Sequence, residues 1–119
     1  MKKLLFALLF MLSSYIASAQ SCEDMMDLVT KDNYGSTYSS PTSDAISKVT
    51  FYSKQIEYQS YYFAVVCFKK EFSYNCTEYL YQVASNTQLN YSLHYLDSAG
   101  KAFWEYIKPY NKNLQCAPD

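Results

Sequence analysis

Read from the amino terminus, the pattern of hydrophobic and polar positions changes period several times, and each change marks an element. It opens with an uninterrupted apolar run from Leu4 to Leu12 behind Lys2 and Lys3, with small residues following at Ala17 and Ala19. The run is well short of the roughly 20 residues needed to cross a bilayer. A basic start, a short apolar stretch and a small-residue end are the marks of a cleavable export signal. Residues 1–19 are therefore expected to be a signal peptide, cleaved near Ala19, which puts the mature chain in the periplasm or outside the cell. A lipid anchor on Cys22 is the lesser alternative, because Gln20 and Ser21 precede it and no leucine lies just upstream. Beyond Met26 there is no long apolar segment, so no transmembrane segment is expected in the mature chain.

Residues 20–44 read as a short helix and a connector. The stretch from Cys22 to Asn33 places Met25, Leu28 and Val29 on one helical side, and Glu23 and Asp24 suit the positive end of the helix dipole. Tyr34 to Asp44 carries Gly35, Pro41 and four serines and is expected to be irregular. From Ala45 the β-branched and aromatic content rises, and Ile46, Val49 and Phe51 predict a strand at about 45–53. After a turn at Ser53 to Gln55, the segment from Tyr58 predicts a second strand. Tyr61, Phe63, Val65 and Cys67 take one of its faces, and Tyr62, Ala64, Val66 and Phe68 the other. Apolar residues on both faces predict a central strand. Thr77 to Ala84 supplies a third, with Tyr79, Tyr81 and Val83 on one side and Leu80 on the other.

The period then becomes helical. Leu89, Leu93 and Leu96 form a stripe flanked by Tyr95, and after a break at Ser98 to Gly100 a second helix aligns Phe103, Tyr106 and Ile107. Pro109 ends it, and Tyr110 to Asp119 is expected to be a loose tail held by Cys116. The expected class is α+β: a small three-stranded antiparallel β-meander packed against C-terminal helices, with a short N-terminal helix.

Size and charge narrow the functional classes. A mature chain near 100 residues supports one domain of modest stability. There is no arginine, and without Lys2 and Lys3 eight lysines face eleven acidic residues. Such a balance exerts no general pull on a phosphate backbone, and Lys69, Lys70, Lys101, Lys108 and Lys112 are the only contributors to a local basic patch. Fourteen tyrosines, all but Tyr15 in the expected mature chain, supply amphipathic aromatic surface to core and binding face alike. Cys22, Cys67, Cys76 and Cys116 are even in number in a chain expected to be exported, which predicts two disulfides. Of the three pairings that four cysteines allow, the preferred one joins Cys67 to Cys76 and Cys22 to Cys116. With no C-x-x-C pair and one histidine, no metal and no cofactor is expected.

Residues 45–109 resemble the KTSC domain, a small module found at the C-terminus of some lysyl-tRNA synthetases and alone in many bacterial proteins. Ala45 to Tyr52 and Phe63 to Phe68 stand where the family has its first two strands. Its Tyr-x-Tyr falls on Tyr79 and Tyr81, followed by Val83, and its Ser-x-Gly falls on Ser98 and Gly100, followed by Phe103 and Ile107. On this reading residues 45–119 are a KTSC-like domain with a C-terminal tail. The link before Tyr79 is longer than the family's tight turn, and the leader and cysteines are additions. The resemblance implies at most RNA binding, which the acidic balance opposes.

The leading functional expectation is a non-catalytic exported module. Tyr79 and Tyr81, with Lys101 near the helix that Gly100 introduces, could stack on a planar ligand or sugar and hold an anion. The competing use of both tyrosines is packing against Phe103 and Ile107. A partner-binding role, as an inhibitor or an immunity-type protein, is the alternative, and a protein or glycan partner fits it. A small hydrolase ranks lower: His94 has Asp97 three residues on but no third member, and Glu57, Glu71, Glu78 and Glu105 show no distinctive spacing. The sequons at Asn75 and Asn90 are expected to stay unmodified in a bacterial chain.

Overall fold

The computed structural model describes residues 22–71 and 73–119; the expected signal peptide lies outside them. Helix α1 (22–30) leads into strand β1 (Ser36–Ser39), then β2 (Ile46–Ile56), β3 (Gln59–Lys69) and β4 (Cys76–Val83). Helices α2 (Thr87–His94) and α3 (Ala99–Tyr106), a 3-10 turn (Lys108–Tyr110) and α4 (Asn111–Leu114) follow. The strands form one antiparallel sheet in the order β1-β2-β3-β4. The chain is thus α+β with helices packed on an antiparallel sheet, as its pattern predicts. No helix among the described residues is long and apolar enough to cross a membrane.

Both faces of β3 are buried, and each is covered by different elements. Ala64 and Val66 join Ile46, Val49, Phe51, Tyr81 and Val83 beneath Tyr91, Ala99, Ala102, Phe103 and Ile107 of the C-terminal helices. A register shift between Ile46 and Lys48 lets Ile46 and Val49 serve this same face although three positions separate them. On the other face Phe63, Val65 and Leu80 meet Val29, with Met25, Met26 and Leu114 packed around them. Helix α1 is fastened there by polar contacts too: Lys54 Nζ donates to Leu28 O at 3.1 Å, and Asn33 Nδ2 to Val29 O at 3.1 Å and Ser53 O at 3.2 Å.

The two disulfides pair Cys22 with Cys116 and Cys67 with Cys76, with Cα atoms 5.7 and 5.3 Å apart. The first joins the start of α1 to the C-terminal segment. The second closes the β3–β4 connection across adjacent strands, where Cys67 faces Glu78 and Lys69 faces Cys76.

Several local expectations give way to longer-range pairing. Ser36–Ser39, expected to be irregular, adds a fourth strand by bonding to Lys48–Phe51. Gly35 is needed at its entrance, because a Cβ there would lie 2.8 Å from Tyr52 Cε1 and closer still to Thr50 Cγ2. Ser53 to Gln55 stays in β2, and the turn falls at Glu57 and Tyr58, both at positive φ. Leu28 is exposed while Val29 is fully buried. On α2 the buried side is Thr87 and Tyr91, and Leu89, Leu93 and Leu96 are exposed. The tail is not loose: Asn113 Nδ2 donates to Gln82 O at 2.8 Å, and Asn111 exchanges hydrogen bonds with Ala117.

Candidate functional site

Tyr79 and Tyr81 lie on β4 facing the C-terminal helices, as their alternation with Leu80 requires. Tyr81 is 2% exposed, and its ring meets Phe103 edge-on at 5.6 Å. Tyr79 is half-buried against Phe68 at 5.8 Å, and Phe68 meets Phe103 at 5.1 Å. These rings form an aromatic seam beneath α3. Lys101 is exposed on the first turn of α3 and borders a depression with His94, Asp97 and Glu105. Tyr79 borders a different one, beside Cys22, Met26 and Cys116. The two tyrosines are thus together in the packing, and Lys101 lines a depression that neither of them borders.

His94 stacks on Tyr106 at 5.4 Å, and its backbone carbonyl accepts the Asp97 N–H at 3.2 Å. All four cysteines are oxidised. Among the described residues no three His, Cys, Asp or Glu side chains gather in a way that could hold a metal.

A cleft of about 390 Å³ lies between two segments that the topology brings together, the β1–β2 connection (40–45) and the α2–α3 turn. The first wall is held at many points. Ser40 N–H donates to Ser47 O at 2.8 Å, Ser43 N–H to Ser40 O at 3.1 Å, and Ile46 N–H to Ser43 Oγ at 3.2 Å. Lys69 fastens it from the neighbouring strand: its N–H reaches Ala45 O at 2.8 Å, and its Nζ donates to Pro41 O at 3.0 Å and to Ser43 O. A wall bonded this densely is preformed.

The second wall runs from Tyr95 to Gly100. Tyr95 is braced by Tyr91, stacked at 5.6 Å, and by Tyr38, edge-on at 5.2 Å. Ser98 caps α3, its Oγ accepting the Lys101 N–H at 3.2 Å, and the Ala102 N–H closes onto Ser98 O at 3.0 Å. The first-turn N–H groups of Ala99 and Gly100 have no acceptor within the helix, and both residues line the cleft.

Two hydroxyls near this cleft are unusual. Ser40, which lines it, is 8% exposed, and its Oγ has no hydrogen-bond partner among the described residues. The same holds for the hydroxyl of fully buried Tyr91. Burial pushes the Tyr91 phenol up to about 12, Ser40 pulls it partly back, and Tyr95 adds to the rise. The two hydroxyls are therefore neighbours that complete no hydrogen bond of normal geometry. Burial likewise pushes Tyr81 up to about 12, with a smaller contribution from Tyr79.

Sequence reasoning passed over this cleft because its walls lie about fifty residues apart and one of them reads as connector. The available signal was the density of hydroxyl residues from Ser39 to Ser43 together with Ser98 and Gly100. No family model, curated protein or solved structure matches this chain.

Proposed function

We propose that this chain is an exported, non-catalytic binding module, and that the cleft between residues 40–45 and the start of α3 is its ligand site. One observation carries the reading: a preformed concave wall, residues 40–45 pinned by Lys69, faces the first-turn residues of α3, whose N–H groups have no acceptor within the helix, across a cleft of about 390 Å³. Export rests on the basic and apolar leader, cleaved near Ala19, with release into the periplasm or the medium. Two disulfides fit an oxidising compartment. The KTSC-like relationship stays part of the proposal and rests on the sequence motifs alone.

The test has two arms. Intact mass of protein from the exported fraction is expected to match a chain beginning at Gln20 with no free thiol; an uncut leader or four free thiols would overturn the exported reading. A fragment screen followed by amide shifts is expected to map binders to residues 40–45 and 95–100. Binders that avoid both segments would remove the cleft.

A second reading, a protein-binding inhibitor or immunity-type role, is favoured by the β2–β3 tip. Glu57 and Tyr58 both sit at positive φ without being glycine, and Tyr58 is fully exposed there. Strained turns of this kind persist where surrounding structure or function holds them. Capture of one stable partner that is lost in Tyr58→Ser, with the cleft unaffected, would favour this reading over a small ligand.

A further inference from the structure

We infer that the cleft recognises a neutral polyhydroxylated ligand, a saccharide unit, with Asp44 and Asp97 as acceptors, the Ala99 and Gly100 N–H groups as donors, and Tyr95 as the aromatic wall. The inference rests on the cleft being the ligand site and names what that site takes.

Ionised carboxylates only accept hydrogen bonds, backbone N–H groups only donate, and serine hydroxyls do both. A ligand that satisfies all three must carry groups that donate and accept, which is the property of a sugar hydroxyl. A simple anion is drawn to the start of α3 but meets Asp44 and Asp97 in the same cleft. A simple cation finds those carboxylates but meets the positive helix end, with the Lys69 ammonium already bonded to the Pro41 and Ser43 carbonyls. The mixed field disfavours net charge of either sign. The volume, about 390 Å³, falls in the range of roughly 300–1,000 Å³ for small-ligand sites.

Gly100 gives independent support. It occupies the second position of α3, where glycine weakens a helix relative to alanine. Its φ is not positive, and a Cβ built on it would meet nothing within 4 Å. Neither backbone conformation nor packing calls for glycine there. Close approach of a ligand to the helix backbone does.

The experiment titrates the oxidised, isotope-labelled chain with glucose, galactose, mannose and N-acetylglucosamine and their β-linked disaccharides, with inorganic phosphate in parallel, following amide shifts. Saturable shifts confined to residues 40–45 and 95–100 are expected with at least one saccharide. Asp97→Asn and Asp44→Asn should each weaken that binding about tenfold or more, with all distant amides unmoved. Gly100→Ala should raise the melting temperature while weakening binding, a combination that a purely structural role of Gly100 does not produce. Shifts of the cleft by phosphate alone would overturn the saccharide assignment and leave the cleft standing as a ligand site. A cleft silent to saccharide and phosphate alike, with binding mapped elsewhere, would overturn both.

Discussion

Tyr91 is fully buried in the aromatic cluster under α2, in contact with Tyr38, Phe51 and Tyr95, and its hydroxyl reaches no partner among the described residues. An unmade hydrogen bond in the interior costs more than an absent one. Tyr91→Phe is therefore expected to leave stability unchanged or raise it by up to about 1 kcal/mol, whereas Tyr91→Ala should cost about 3–5 kcal/mol; urea unfolding measures both. The same burial fixes an alkaline response. Below the ordinary tyrosine value near 10 the phenol is protonated in both folded and unfolded chains and contributes nothing differential. Above it the unfolded chain releases protons that folded Tyr81 and Tyr91 keep until about 12. The folded state then binds more protons, so stability falls as pH rises through this window. Unfolding midpoints at pH 9, 10 and 11 should decline across the last interval, and less steeply in Tyr91→Phe. A slope unaffected by that substitution would place the late-titrating tyrosine elsewhere.

At the scale of elements, what was legible depended on whether the information was local. The alternation in β3 and β4 was readable because two buried faces force Val65 and Val66, or Leu80 and Tyr81, to opposite sides. Ser36–Ser39 was not, since a polar edge strand is made by backbone pairing with β2 rather than by its own pattern. Helix α2 misled because it carries two stripes at helical spacing, Leu89–Leu93–Leu96 and Thr87–Tyr91–Tyr95, and periodicity alone does not choose between them. Phe51 and Tyr38 present an aromatic floor, and Tyr91 and Tyr95 match it. The choice predicts that Leu89→Gln, Leu93→Gln and Leu96→Gln each change stability by less than about 0.5 kcal/mol; a loss of 2 kcal/mol or more at any of them would mean that the leucines are covered. The β2–β3 turn makes the opposite kind of forecast. Two-residue hairpin turns with both central φ positive favour Asn-Gly, so Glu57→Asn with Tyr58→Gly should raise stability by about 1 kcal/mol. A drop in the denaturation midpoint would mean that Glu57 or Tyr58 stabilises the tip in some other way.

At the scale of the whole molecule, the two faces of the sheet are unequally secured. The face under α2 and α3 rests on a continuous aromatic and aliphatic cluster, while the other holds the buried Phe63, Val65 and Leu80 beneath a nine-residue helix that contributes Val29. A helix that short has little stability of its own, and the Cys22–Cys116 bridge fixes its start to the segment that follows α4. The even cysteine count made two bridges legible, with this pairing the preferred one of three; the hydrogen bonds from Lys54 and Asn33 that orient α1 were not legible, since they depend on where β2 runs beneath it. Sequence separations of 94 and 9 give the bridges different weights. Loop entropy assigns about 5 kcal/mol to Cys22–Cys116 and about 3 kcal/mol to Cys67–Cys76. Replacing Cys22 and Cys116 by serine should therefore lower stability more than replacing Cys67 and Cys76. It should also speed amide exchange in residues 22–30 while the amides of α3 stay protected, because what is released is the cover of one face. If the Cys67/Cys76 pair proved the costlier to remove, its contribution would lie in aligning β3 with β4, and the loop-entropy ranking would fail for this fold.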